Sequence, residues 1–122
     1  MHLRVTNVTR GKILADRAEE ARTFRARLVG LMGRRELRMG GGLHIVPCNS
    51  IHMFFMRFPI DALFLDREGE IVRLFPALAP WRVTSLCLEA DSVLELPAGV
   101  AAGSGTQVGD RLVFQSTPDE GA

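Results

Sequence analysis

The sequence contains no tyrosine and only one tryptophan among its 122 residues, so we do not expect a broad aromatic platform for carbohydrate. No run reaches the roughly 18 apolar residues that a membrane-spanning helix needs, and the first residues hold no apolar segment typical of an export signal. We therefore expect a cytoplasmic protein that does not associate with membranes. In that compartment both cysteines, Cys48 and Cys87, are expected to remain reduced.

Several catalytic and nucleotide-binding motifs are also missing. There is no nucleophile elbow of the GxSxG type, and Ser50 and His52 are neighbours only along the chain. The glycines of AGSGTQVGD do not complete a dinucleotide fingerprint, because Val108 stands where the next glycine would be required. The spacing of the possible metal ligands matches no standard zinc signature. The sequence therefore predicts no cofactor, no resident metal and no identifiable catalysis.

The length and the hydrophobic content of 47% fit a single globular domain with its own core. The final residues, STPDEGA, are small, polar and acidic apart from one proline, a composition typical of a frayed end. We predict one domain over residues 1–116 and a flexible tail over 117–122.

The net charge of +1 hides an uneven distribution. Residues 10–38 hold nine basic and four acidic side chains, which makes the rest of the chain net acidic. A basic segment can attract phosphates, but sequence-tolerant nucleic-acid binding also needs interleaved aromatic side chains, and only Phe24 is present in this segment. The pattern favours a solvated, arginine-rich helix face over a nucleic-acid site.

One segment has the period of an amphipathic helix. Phe24, Leu28, Leu31 and Met32 follow one another at helical spacing, and Gly33 can adopt the positive φ of a helix C-terminal cap. We predict one short covering α-helix over about residues 20–33.

The rest of the chain consists of short apolar runs separated by turn signals. HLRVTNVT alternates like a half-buried strand, and the tetrapeptide of residues 66–69 predicts a hairpin turn. Many short strands at this spacing predict a mainly β protein, an antiparallel β-sandwich or barrel-like single domain with the helix packed over it.

Three segments, in this order, resemble the DUF192 family: GLMGRREL (30–37), HMFFMRFPIDALFLD (52–66) and VLELPAGVAAGSGTQVGDRL (93–112). The resemblance covers most of the chain from Phe24 to Leu112. It implies a small, mostly β domain, and it implies no established activity, substrate or cofactor.

The central segment also departs from the family pattern. Met53, Pro59 and Asp61 agree with it, but His52 stands where the family usually has a tryptophan. Residues 54–56, Phe-Phe-Met, replace polar residues. If those polar residues line a pocket in relatives, this chain has a more apolar pocket or a different ligand.

A cluster of His44, Cys48 and His52 is the strongest metal alternative. A three-residue loop at 47–49 would pair the two imidazoles across a hairpin, with the thiol nearby. Other loop lengths break this pairing, and residues four apart on one strand are about 13 Å apart, too far to share an ion.

Asp61 is the charged residue most clearly placed inside an apolar strand. Both faces of IDALFLD are apolar, so the strand is expected to be central and Asp61 to be buried near its start. A buried carboxylate needs a cation or backbone donors, and we expect Arg34, Arg57 or loop amides to supply them. Asp61 and its partner form either a fixed structural contact or part of a ligand-binding rim.

Trp81 follows Pro80 in a loop that two prolines should order. An exposed indole there would contact a ligand or a partner protein, and a buried one would close one end of the core.

The sequence thus favours a binding module for a small ligand or a protein partner. Its candidate ligand-binding residues are Asp61, Arg57, Arg34, His52 and Trp81. The alternatives are a metal-assisted enzyme using the histidine and cysteine cluster, and weak nucleic-acid binding through the basic helix.

Overall fold

The structure, a computed structural model, describes residues 2–118. It contains seven strands and two short helices in these residues. In chain order they are β1 (His2–Asn7), β2 (Lys12–Ala21), α1 (Phe24–Val29), β3 (Gly41–Ile45), β4 (Ile60–Leu65), β5 (Ile71–Leu78), β6 (Ser92–Pro97), α2 (Val100–Ser104) and β7 (Leu112–Thr117). Most of the predicted tail, from residue 119 onward, lies outside the described residues.

The strands form one mixed sheet in the order β5-β4-β6-β3-β2-β1-β7. All pairs are antiparallel except β2 and β3, which run parallel. The two outer strands then meet, because the Ile71 amide donates to the Asp110 carbonyl (2.9 Å) and the Leu112 amide donates to the Gly69 carbonyl (2.8 Å). This contact curls the sheet into a barrel-like form. The prediction of a mainly β, barrel-like single domain is confirmed, but the parallel pair was not foreseen.

Two apolar clusters lie on opposite faces of the sheet. One fills the inner face with residues from six strands: Val5, Leu14, Leu63, Ile71, Leu94 and Leu112. The other packs the outer face of the sheet against the loops and contains Leu43, Ile45, Ile51, Met53, Ile60, Phe64 and Val93. The strand β4 is buried along its whole length because it contributes to both clusters, and it lies between β5 and β6 as its pattern predicted.

The predicted helix is shorter than expected and packs differently. Strand β2 continues to Ala21, and α1 begins only after Thr23, whose hydroxyl accepts a hydrogen bond from the Ala26 amide at 3.0 Å. Gly30, with φ 49°, ends the helix three residues before Gly33. The boundaries 20–33 are therefore wrong at both ends. None of the residues of α1 is buried, so its apolar stripe does not pack on the core.

The turn at Gly69 lies where the two outer strands meet and close the barrel. Its φ is 82°, and a Cβ added there would lie 2.5 Å from the Leu112 carbonyl oxygen, which is closer than van der Waals contact allows. Gly69→Ala is expected to lower the free energy of unfolding by about 2 to 4 kcal/mol, through the dihedral and the clash together. Urea denaturation measures this loss.

A control separates the two causes. Gly11 has a similar φ of 65°, and nothing lies within 4 Å of its added Cβ. Gly11→Ala should therefore cost only the dihedral penalty of about 1 to 2 kcal/mol. Equal losses in the two variants would show that contact between Gly69 and Leu112 does not hold the barrel closed.

Candidate functional site

A pocket of about 550 Å³ lies on the outer face of the sheet, between α1 and the segment that follows β3. This volume falls within the roughly 300–1,000 Å³ of small-molecule sites. Its apolar lining residues include Phe24, Leu28, Leu31, Ile45, Ile51 and Met56. Its polar and ionisable lining residues include Arg27, Cys48, Ser50, His52, Asp91 and Glu95.

The apolar stripe of α1 forms one wall of this pocket. Phe24 and Leu28 remain 75% and 54% exposed although they have the helical spacing of core residues. Leu31, beyond the end of the helix, is the member of the stripe that is fully buried. An apolar helix face left open beside a cavity is typical of a ligand-binding groove.

Glu95 forms part of the pocket lining from the centre of β6. It pairs with Leu43 on β3 and Ala62 on β4, so its side chain lies on the outer face of the sheet. The residue is only 4% exposed, and no described residue donates a hydrogen bond to its carboxyl group. Burial raises the pKa of Glu95 to about 8, opposed only by the charge of Arg34. At neutral pH the group is therefore mostly a neutral acid.

Arg34 does not neutralise Glu95 directly. Its guanidinium donates to the Glu19 carboxylate at 2.8 Å, on the surface of β2. The carboxyl of Glu95 thus lacks a cation within ion-pair distance.

Cys48 and Arg27 border the same pocket. The Cys48 thiol donates to the Ser50 carbonyl at 3.0 Å, and burial raises the pKa of this thiol above its usual value. The Arg27 guanidinium donates to the Pro47 carbonyl at 3.2 Å and lies over the Phe24 ring, 6.0 Å from its centroid. The Cys48 thiol is therefore held at the wall by a contact within the protein, whereas the Arg27 Nε is buried with no hydrogen-bond partner among the described residues.

Of the five residues that the sequence singled out, only His52 lines this pocket. Its ring Nδ1 accepts a hydrogen bond from the Phe54 amide at 3.2 Å, and its backbone bridges to Val83. Arg57 is exposed, and Arg34 binds Glu19. The structure therefore does not gather His52, Arg57 and Arg34 around one carboxylate.

Asp61 is 1% exposed at the start of β4, as predicted. Its Oδ1 accepts a hydrogen bond from the Ala77 amide (2.8 Å). Its Oδ2 accepts from the amides of Gly99 (3.2 Å) and Ala101 (2.9 Å) at the beginning of α2. The partners are backbone amides, as one of our alternatives predicted, but only Gly99 lies in a loop, whereas Ala77 belongs to β5 and Ala101 to α2. The carboxylate joins β5 and α2 to the central strand.

Trp81 is 59% exposed, so the interpretation that it closes one end of the core is wrong. It lies against two exposed phenylalanines, with ring centroids 6.0 Å from Phe54 and 5.1 Å from Phe55. Both Trp81 (φ 68°) and Phe55 (φ 62°) have left-handed backbones, an uncommon conformation for bulky residues. These three residues form the aromatic cluster.

The predicted histidine and cysteine cluster does not assemble. His44 pairs with Leu94 across β6, and its Nε2 lies 2.9 Å from the Ser92 hydroxyl, whereas His52 bridges to Val83. The hairpin pairing of His44 with His52 is therefore wrong, because β3 is flanked by β2 and β6 and not by the segment that follows it. Within residues 2–118, no group of three histidine, cysteine or acidic side chains is placed to hold a metal ion.

Glu95 was missed at the level of sequence, although the signal was present. It is the single charged residue of SVLELP, with apolar residues on both sides of it, as Asp61 is the single charged residue of IDALFL. The criterion that identified Asp61 applies equally to Glu95.

The comparisons with known proteins agree with this architecture. The family model of DUF192, described as Uncharacterized ACR, matches residues 5–114. The chain belongs to the DUF192 family. A UPF0127 protein of Thermococcus sibiricus is 34% identical over 95% of this chain and 77% of its own length. The UPF0127 protein PF1050 of Pyrococcus furiosus is also 34% identical, over 87% of this chain and 93% of its own.

Two solved structures share the fold of this DUF192 protein. A protein of unknown function from Novosphingobium aromaticivorans has a TM-score of 0.78 and 26% identity, covering 91% of this chain and 82% of its own. A protein from Sinorhizobium meliloti, described as "a putative transcription regulator", has a TM-score of 0.79 and 27% identity, covering 92% and 91%. Among residues 2–118, neither helix has the length and apolar character needed to span a bilayer.

Proposed function

We propose that this protein is a binding module that takes a small organic ligand into the pocket lined by Glu95. The observation that carries the proposal is the Glu95 carboxyl group, which is buried, lines the pocket and has no hydrogen-bond partner among the described residues. A ligand group that donates a hydrogen bond to this carboxyl group would supply the partner that the described residues do not.

The open apolar face of α1 supports the same proposal. Phe24 and Leu28 contact the pocket instead of the core, so a ligand with an apolar body would bury surface that now faces water. Polar and ionisable side chains line the pocket beside the apolar ones, so a ligand with both an apolar body and a polar group would find a partner for each part.

Binding without catalysis fits the state of the thiol in the pocket. Burial raises the pKa of Cys48, so at neutral pH this side chain is a protonated thiol and a poor nucleophile. A role in orienting a ligand is consistent with that state.

The alternative of nucleic-acid binding through the basic segment has less support. Several of its arginines are paired within the chain: Arg22 with Glu20, Arg34 with Glu19 and Arg38 with Glu36. Arg27 is held at the pocket wall. The segment therefore presents fewer free cations to phosphates than its composition indicates.

A protein partner is a second candidate function, favoured by the aromatic cluster. Its three rings are exposed on one surface, although two of their backbones have φ values that cost free energy. Exposed aromatic side chains are enriched where proteins bind one another.

The pocket proposal is tested by screening a fragment library against ¹⁵N-labelled protein. We expect hits to shift the amide signals of Ile45, Cys48 and Ile51, which line the pocket. Ser50→Trp places an indole at an exposed position of the lining and should abolish these shifts.

Ser116→Trp is the matched control, because Ser116 is exposed on β7 and does not line the pocket. It should leave binding unchanged. Hits that survive Ser50→Trp, or that shift signals elsewhere, would contradict the proposal.

A further inference from the structure

The chemical class of the ligand can be inferred from the charges around Glu95. When this carboxyl group ionises, no cation of the described residues lies within ion-pair distance of it. Arg34 acts on it only as a distant charge and is bound to Glu19. Any strong attraction for an ionised Glu95 must therefore come from the occupant of the pocket.

The other ionisable groups that border the pocket also favour a cationic ligand. Asp91 is a second acid in the lining, and its contact with Arg67 is loose at 3.9 Å between two partly exposed groups. Arg27 is the cation of the lining: its Nη1 donates to the Pro47 carbonyl, its Nε is buried without a hydrogen-bond partner among the described residues, and it forms no ion pair with Glu95. Cys48 and His52 are the remaining ionisable residues of the pocket lining. An ionised Glu95 would make Asp91 and Glu95 two acids of the lining against the single cation Arg27, which favours a cationic ligand over an anionic one.

The strands that flank Glu95 contribute no titratable group to its face of the sheet. Its register partners are Leu43 and Ala62, and the next residue of β3 on that face is Ile45. His44 lies on the opposite face because side chains alternate along a strand. The surroundings of Glu95 are thus apolar on the sheet side and acidic at Asp91.

We propose that the pocket binds a small amine with an apolar substituent, whose ammonium group pairs with the Glu95 carboxylate. This inference rests on the proposed function and specifies its ligand. The alkyl or aryl part of the amine would lie against Leu28, Leu31 and Met56. The protonated amine enters as a cation, the Glu95 carboxyl group releases its proton to the solvent, and an ion pair forms at Glu95.

The proton balance provides the test, with hexylamine as the probe and 1-hexanol and hexanoate as matched ligands of the same chain length. Calorimetry at pH 7, in two buffers with different enthalpies of ionisation, should show close to one proton released per hexylamine bound. The affinity for hexylamine should rise about ninefold from pH 6 to 7 and about fivefold from pH 7 to 8, because binding expels nearly one proton at the lower pH and about half a proton at pH 8. The affinity for 1-hexanol should not change with pH.

Glu95→Gln keeps the size of the side chain but cannot ionise. In this variant hexylamine should lose its proton release, its pH dependence and its preference over 1-hexanol. The amide spectrum of the free variant should match that of the parent protein outside the immediate neighbours of residue 95, which verifies that the fold is intact.

The possible failures are distinguishable. Equal binding of hexylamine and 1-hexanol with no proton release, or a preference for hexanoate, would overturn the amine inference and leave the pocket proposal standing. If fragments of other chemistry shift the amide signals of pocket residues and hexylamine shifts none, the amine inference is likewise overturned and the pocket proposal stands. No pocket shifts from any fragment or from the three probes would overturn both.

Discussion

Replacing Asp61 by asparagine is expected to lower the free energy of unfolding by about 3 kcal/mol. The carboxylate now accepts three backbone hydrogen bonds, one at Oδ1 from Ala77 and two at Oδ2 from Gly99 and Ala101. An asparagine has one carbonyl oxygen, so its NH₂ group must face the amides on the other side. Because both partners are donors, at least one buried amide would lose its acceptor. Thermal and urea denaturation measure the effect.

Asp66→Asn is the matched control for this change. Its Oδ1 accepts hydrogen bonds from both the Glu68 and Glu70 amides at 2.9 Å, in a surface turn. Since one oxygen makes both bonds, the asparagine carbonyl can replace it, and we expect a loss below about 1 kcal/mol. If Asp61→Asn is as stable as the parent protein, the carboxylate does not hold β5 and α2 to the central strand, and a ligand-binding role for it would have to be reconsidered.

The second large effect is expected at Glu95, in the dependence of stability on pH. Burial raises the pKa of Glu95 from 4.5 in the unfolded chain to about 8 in the folded one. Between these values the folded state holds a proton that the unfolded state has lost, so stability falls as pH rises. The slope is at most about 1.4 kcal/mol per pH unit, which amounts to about 2 kcal/mol between pH 6.5 and 8.

This window avoids the opposing contribution of His44. Burial lowers the pKa of His44 from 6.5 to about 4, so its contribution is complete above pH 6.5 and is lost as pH falls towards 4. Below pH 6.5 the two residues act in opposite directions and partly cancel. Above it, the decline with pH comes from Glu95.

Glu95→Gln should therefore remove most of the decline between pH 6.5 and 8 and be more stable than the parent protein at pH 8. Urea denaturation at several pH values checks this. Glu89→Gln, at an exposed position, should retain the parental slope. A decline that persists in Glu95→Gln would show that Glu95 is already ionised in the folded protein. A more stable variant would also indicate that the glutamate is kept at a cost to stability, as functional groups often are.

The buried carboxyl groups of Asp61 and Glu95 show what a local sequence pattern can predict and what it cannot. Asp61 and Glu95 each interrupt an apolar strand, and that pattern alone predicts burial. The two side chains differ in the face of the sheet that they occupy, which the register between β4 and β6 decides. Asp61 pairs with Leu96 and Glu95 with Ala62, so they extend to opposite faces of adjacent strands. Backbone amides lie within reach of Asp61, and a pocket borders Glu95. The amides that bind Asp61 are at least 16 residues away along the chain, and most of the pocket that borders Glu95 is lined by residues 24–56.

The helix gives a similar contrast. The spacing of Phe24, Leu28 and Leu31 predicts an apolar face, and the structure has one. Spacing does not determine what the face contacts. Strand β2 extends to Ala21 and shortens the helix from its beginning, so α1 borders a cavity instead of covering the core.

The sequence by itself determined the elements whose causes are local: the short strands, the turn at residues 66–69, the buried position of Asp61 and the membership of DUF192 that its three segments indicate. The tertiary structure alone decided the parallel pairing of β2 with β3, the closure of β5 on β7 and the lack of a partner for Glu95. The physical reason is that side-chain alternation and turn geometry act over a few residues. Hydrogen bonds, ion pairs and cavities depend on which distant strands become neighbours.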